Sequence, residues 1–138
     1  MLAIVPMEKI INQAIEYRKA GQHDNAKELL SSLLRSNPKD PILNYQYAWT
    51  CDSNGDESEA VTYYETAIEN GLAGEDRRGA MLGLGSTYRC LGRYDDALRM
   101  FDQAVSEFPQ DRSFKVFRAI VYYNLGHSNP HERIEKQY

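Results

Sequence analysis

Leu84-Gly85-Ser86-Thr87-Tyr88-Arg89-Cys90-Leu91-Gly92-Arg93-Tyr94, followed at fixed offsets by Ala97, Phe101, Ala104 and Pro109, decides how the rest of the chain is read. The pattern is a helix, a turn and a second helix running back along the first. Gly85 has no side chain where the two helices cross, and Ala97 is the small residue opposite it. Leu84, Tyr88 and Phe101 are the large residues expected to fill the space around that contact. Gly92 ends the first helix, since glycine takes the left-handed conformation without strain. Pro109 stops the second, because the residue before a proline is pushed out of the helical region.

The same frame recurs along the chain. Four turn glycines, Gly21, Gly55, Gly92 and Gly126, stand 34, 37 and 34 residues apart. In the first unit Ala14 takes the crossing position of Gly85, Tyr17 that of Tyr88, and Ala26, Leu30, Leu33 and Pro38 follow in register. In the second, Ala48 is the crossing residue, Cys51 stands in place of the tyrosine, and Ala60, Tyr64 and Ala67 complete the pattern. Asp40-Pro41 reads as an N-cap followed by proline at the first helical position. No proline closes this unit. The run Asn70-Gly71-Leu72-Ala73-Gly74-Glu75-Asp76 is expected to form the connection, and its extra residues account for the longer spacing. The fourth unit shows its first helix through Arg118-Ala119, Tyr122 and Gly126, after which His127-Ser128-Asn129-Pro130 breaks the register. Residues 130–138 read as a polar cap or a frayed end.

A period of about 34 residues with these small, aromatic and proline positions resembles the tetratricopeptide repeat. The resemblance implies an all-α, right-handed superhelix of antiparallel helix pairs, with three full repeats and a partial fourth. One domain is expected over 1–138, with repeats at about 7–40, 41–77, 78–111 and 112–138. Residues 71–92, Gly-Leu-Ala-Gly-Glu-Asp-Arg-Arg-Gly-Ala-Met-Leu-Gly-Leu-Gly-Ser-Thr-Tyr-Arg-Cys-Leu-Gly, also resemble a family of small bacterial repeat proteins with the run G-L-x-G-E-D-R and then L-G-S-T-x-R-x-L-G. That resemblance implies protein–protein contacts and a homodimer, and it brings no catalytic residues.

In proteins of this architecture the first helix of each unit lines a concave groove. In unit one the groove positions are Glu8, Ile11, Ile15, Arg18 and Lys19. In the later units the candidate binding residues are Ile42, Tyr45 and Trp49, then Leu82, Ser86 and Arg89, then Val116, Ile120 and Tyr123. Trp49 is the only tryptophan of the chain, and together these side chains would make a larger apolar patch than a monomer usually exposes. Arg89 is placed to pair with a carboxylate or to stack on Trp49 or Tyr45. Gly79 and Gly83 suit close helix packing within the subunit, or else the approach of another backbone. A clamp for a terminal carboxylate is disfavoured, because the fifth residues of the four units are Ile11, Tyr45, Leu82 and Val116, where such a clamp needs polar or basic side chains. An apolar peptide, a helix or a second subunit fits better.

Composition narrows the function classes. Ten tyrosines suit helix packing and binding surfaces. A net charge of −4 argues against nucleic acid as a partner. Cys51 and Cys90 form no metal-ligand spacing and are expected to be buried free thiols, consistent with a reducing cytoplasm. Residues 1–6 are too short for a signal peptide, and no run approaches the roughly 18 apolar residues of a membrane span. His127 and His131 have Pro130 between them and make a poor metal pair. The acidic residues Asp24, Asp56-Glu57, Glu75-Asp76 and Asp95-Asp96 fall at helix starts, where they favour the helix dipole. The expectation is a soluble cytoplasmic protein that is no enzyme, takes no cofactor or metal, and binds proteins or peptides, itself included.

Overall fold

The structure is a computed structural model and describes residues 5–126. Among the described residues there are seven helices and no strand: α1 (Met7–Lys19), α2 (His23–Ser36), α3 (Pro41–Ser53), α4 (Glu57–Glu69), α5 (Gly74–Cys90), α6 (Tyr94–Glu107) and α7 (Arg112–Asn124). The described residues form two compact units that divide between Ala80 and Met81, inside α5.

In the first unit α1 packs on α2, α2 on α3, and α3 on α4, while α1 also touches α3. The connections are short because each first helix closes in the same way. At the first turn Gly21 takes φ 78°, its N–H donates to the Arg18 carbonyl at 3.0 Å, and the Gln22 N–H donates to the Tyr17 carbonyl at 2.8 Å. This paired closure satisfies two carbonyls left over at the helix end. The turn after α3 repeats it through Gly55 and the bond from Asp56 N–H to the Cys51 carbonyl. The Asp40 carboxylate accepts from the Leu43 N–H at 3.0 Å, the expected cap with Pro41 behind it. Asn44 is buried and donates to the carbonyls of Pro38 and Asp40 at 3.1 and 2.8 Å, fixing the entry of α3.

The core is built on the small crossing residues. Ala14, Ala26 and Leu30 are buried in the first helix pair, and Ala48, Ala60, Tyr64 and Ala67 in the second. Lys27 of α2 reaches across to Asp56 at 2.8 Å and Glu59 at 3.2 Å. Glu59 also accepts from the Tyr47 hydroxyl at 3.0 Å, and Tyr47 packs against Tyr63 with ring centroids 4.3 Å apart. Burial works against the Lys27 charge, but its bonds to Asp56 and Glu59 outweigh that and raise its pKa. Asp40 and Asp111 accept from a backbone N–H as caps, whereas Asp24 charges the first turn of α2.

The connection after α4 differs from expectation. α5 begins at Gly74, so the connection is shorter than the run 70–76, and Glu75 and Asp76 stand in the first turn of the helix, as expected of acids at a helix start. The additional residues have become helix: α5 is 17 residues long, whereas α1, α3 and α7 are each 13. Leu72 is buried, and the Arg77 guanidinium donates to the carbonyls of Ile68 and Leu72 at 3.2 Å each. Arg77 thus satisfies the end of α4 from the start of the next helix.

In the second unit α6 packs on α7. Phe101 is fully buried and lies on Gly85, with Phe114 at 6.4 Å and Phe117 at 6.1 Å between ring centroids. A Cβ at Gly85 would penetrate the Phe101 ring. Asp111 caps α7 by accepting from the Ser113 N–H at 2.9 Å. The expected polar cap at residues 130–138 and the histidines His127 and His131 lie outside the described residues.

Gly85→Ala should cost about 1–3 kcal/mol, because Phe101 is held by two further rings and has no room to retreat. Urea denaturation measures this, and an unchanged midpoint would show that the ring gives way.

Candidate protein-binding surface

α3 carries three of the candidate residues, and the structure treats them differently. Ile42 and Trp49 are exposed, at 46% and 41% of their full surface. Tyr45, expected on the same open face, is buried. The reason is Gly79: a Cβ there would stand 2.5 Å from the Tyr45 hydroxyl, so the missing side chain is what lets the ring lie down against α5. The glycine serves packing within the chain. Tyr45 then supports Trp49 from below, with ring centroids 5.6 Å apart, and meets Tyr64 at 6.4 Å.

The cation beside Trp49 is Arg18 of α1. Its guanidinium carbon lies 3.7 Å from the indole centroid, and one terminal nitrogen donates to the Gln46 side-chain carbonyl. Arg18 is only 7% exposed, and burial pulls its pKa down. Arg89, offered as a stacking partner for Trp49, instead donates to the Asn124 side chain at 2.7 Å. Arg18 was legible only as a groove position. The signal for its role is an arginine at a groove position of the first unit, followed by a tryptophan at a groove position of the second.

Asp52 accepts from the Tyr64 hydroxyl at 2.9 Å. Burial raises the pKa of Asp52, partly offset by the Tyr64 bond, and burial with the neighbouring carboxylate raises that of Tyr64. Cys51 is buried as expected, and burial pushes its thiol up to about 12. Cys90, expected to be buried, is exposed at the last residue of α5.

In the second unit Val116 and Tyr123 are exposed at 56% and 75%, while Leu82, Ser86, Arg89 and Ile120 are half-buried. Among the described residues, six large apolar side chains are exposed, and four of them, Ile42, Trp49, Val116 and Tyr123, stand at groove positions of first helices. No group of three or more His, Cys, Asp or Glu among the described residues is placed to hold a metal. No described helix is long and apolar enough to cross a membrane.

The tetratricopeptide repeat family models match residues 41–136 and residues 11–40. The chain belongs to the tetratricopeptide repeat family. Among solved structures it is similar to MamA AMB-1, with 22% identity, a TM-score of 0.77, and coverage of 89% of this chain and 66% of that one. MamA MSR-1 is 22% identical with a TM-score of 0.79, covering 94% and 74%. The first TPR domain of human RPAP3 is 14% identical with a TM-score of 0.76, covering 87% and 92%. The chain therefore spans about two thirds to three quarters of the MamA chains, and at these identities the likeness is one of fold. No curated protein matches it in sequence.

Asp52 is half-buried, and a carboxyl whose folded-state pKa is raised destabilises most when ionised. The penalty is full at neutral pH and fades as pH falls through the raised value toward the unfolded value of about 3.9. Asp52→Asn, which can still accept from Tyr64, should therefore be at least as stable as the native protein at neutral pH. Its relative advantage should shrink on acidification, measured by urea denaturation across the range. Tyr64→Phe should cost about 1–3 kcal/mol by leaving Asp52 without its donor. A pH-independent difference for Asp52→Asn would contradict this account.

Proposed function

We propose that this protein is a non-catalytic protein-binding module acting in the cytoplasm, and that its first helices carry the binding surface. The observation that supports the reading is the placement of Ile42, Trp49, Val116 and Tyr123: large, apolar, exposed, and all on first helices. In each unit, exposed aromatic and branched side chains on a first helix are what protein partners cover. In the first unit buried Tyr45 supports Trp49, and in the second half-buried Leu82, Ser86, Arg89 and Ile120 accompany Val116 and Tyr123. A second copy of the chain is the occupant proposed first, as expected for the small repeat proteins that the sequence resembles. A monomeric adaptor that takes a peptide from another protein is the second reading, and the buried Arg18 beneath Trp49 favours it.

Val116→Glu with Tyr123→Ser tests self-association with little risk to the fold, since both side chains are exposed. Light scattering after size-exclusion chromatography should give twice the chain mass of 15.8 kDa for the native protein and a single chain mass for the variant. An unchanged dimer would place the contact elsewhere. A native monomer would leave the adaptor reading in its place.

A further inference from the structure

Arg18 presents a problem that the fold alone does not solve. It is almost wholly buried, yet its guanidinium makes one hydrogen bond, to the neutral side chain of Gln46, and rests on the face of Trp49. Among the described residues no carboxylate pairs with it. The one acid of α3, Asp52, accepts from Tyr64, and Glu16 of α1 is drawn to Lys19 at 4.0 Å. A guanidinium has further N–H groups that expect acceptors, and a buried cation without a counter-charge is costly. Where such a group persists, its compensating partner is the thing to look for.

The surroundings suggest where that partner comes from. Trp49, the ring lying on Arg18, is itself part of the exposed surface. Ile11, Ile15 and Arg18 share one face of α1, and Ile42 and Trp49 share one face of the touching α3. The cation thus sits under an aromatic residue, within an apolar patch and beside a neutral amide.

We propose that Arg18 is the receptor for an aspartate or glutamate side chain carried by an apolar peptide segment of a partner protein, which docks on the α1 and α3 face around Trp49. This rests on the reading of the first helices as a protein-binding surface, and names the chemistry of what binds there. The incoming carboxylate supplies the acceptors the guanidinium lacks, while flanking apolar side chains cover Trp49 and Ile42. Such charge-assisted bonds, formed away from water, discriminate strongly between an acid and its amide. The cation is then retained for recognition, and replacing it by an apolar residue of similar size should leave the fold intact.

A library of short random peptides, displayed through their C-termini so that only side-chain carboxylates are offered, tests this on the full chain. The enriched sequences should carry Asp or Glu next to bulky apolar residues. Synthetic versions should quench or shift the fluorescence of Trp49, and the Asn or Gln counterpart should bind roughly tenfold more weakly or worse. Arg18→Met should melt at or above the native temperature and bind acid and amide peptides alike. Enriched peptides without a carboxylate, or acid-over-amide preference retained in Arg18→Met, would overturn the proposal while leaving the surface as a binding site. A marked fall in the melting temperature of Arg18→Met would assign the guanidinium to the fold and overturn it as well. No enrichment at all would remove the reading of this face as a peptide site together with the proposal.

Discussion

Each helix pair depends on one close crossing. Ala14, Ala48 and Gly85 occupy it, and at Gly85 the space that a methyl group would need belongs to Phe101. Because the first helix of a pair is held this tightly against the second along one side, its opposite side is left for other contacts. The exposed positions of α3 and α7 follow from that constraint together with the 3.6-residue period of the helix. The turn glycines make the arrangement repeat, since each ends a first helix with the same left-handed residue and a matching closing bond.

Much of this was legible in the sequence because the informative residues are ones that backbone geometry requires. The glycine spacing, the small residues at the crossings and Asp40-Pro41 each have one physical use, and the structure puts them to it. The residues that misled are those with two uses. Asn70-Gly71 does end a helix, but nothing in it says how soon the next begins. Gly74 then opens α5, and Arg77 secures the junction by a contact that no local pattern announces. Cys90 looked like a core thiol because it follows a helical pattern, yet it points outward on the last turn.

The candidate surface was only partly readable for a similar reason. A groove register says which residues share a face, and it does not say how deep each one sits. Tyr45 and Trp49 are one helical turn apart, and the difference between them is made by Gly79, more than thirty residues away in the chain. Arg18 and Trp49 lie on different helices, so their stacking is a product of how α1 meets α3. Burial works against the charge of Arg18 and against that of half-buried Asp52, which its bond from Tyr64 partly offsets.

Hydrogen–deuterium exchange on the full chain, comparing the dilute protein with the concentrated protein and with saturating selected peptide, tests the central claim most directly. If the first helices bind protein, added protection falls on the segments of α1, α3 and α7 that hold Arg18, Trp49, Val116 and Tyr123, and α2, α4 and α6 exchange as before. Protection confined to the second helices, or no change under any of these conditions, would contradict the account.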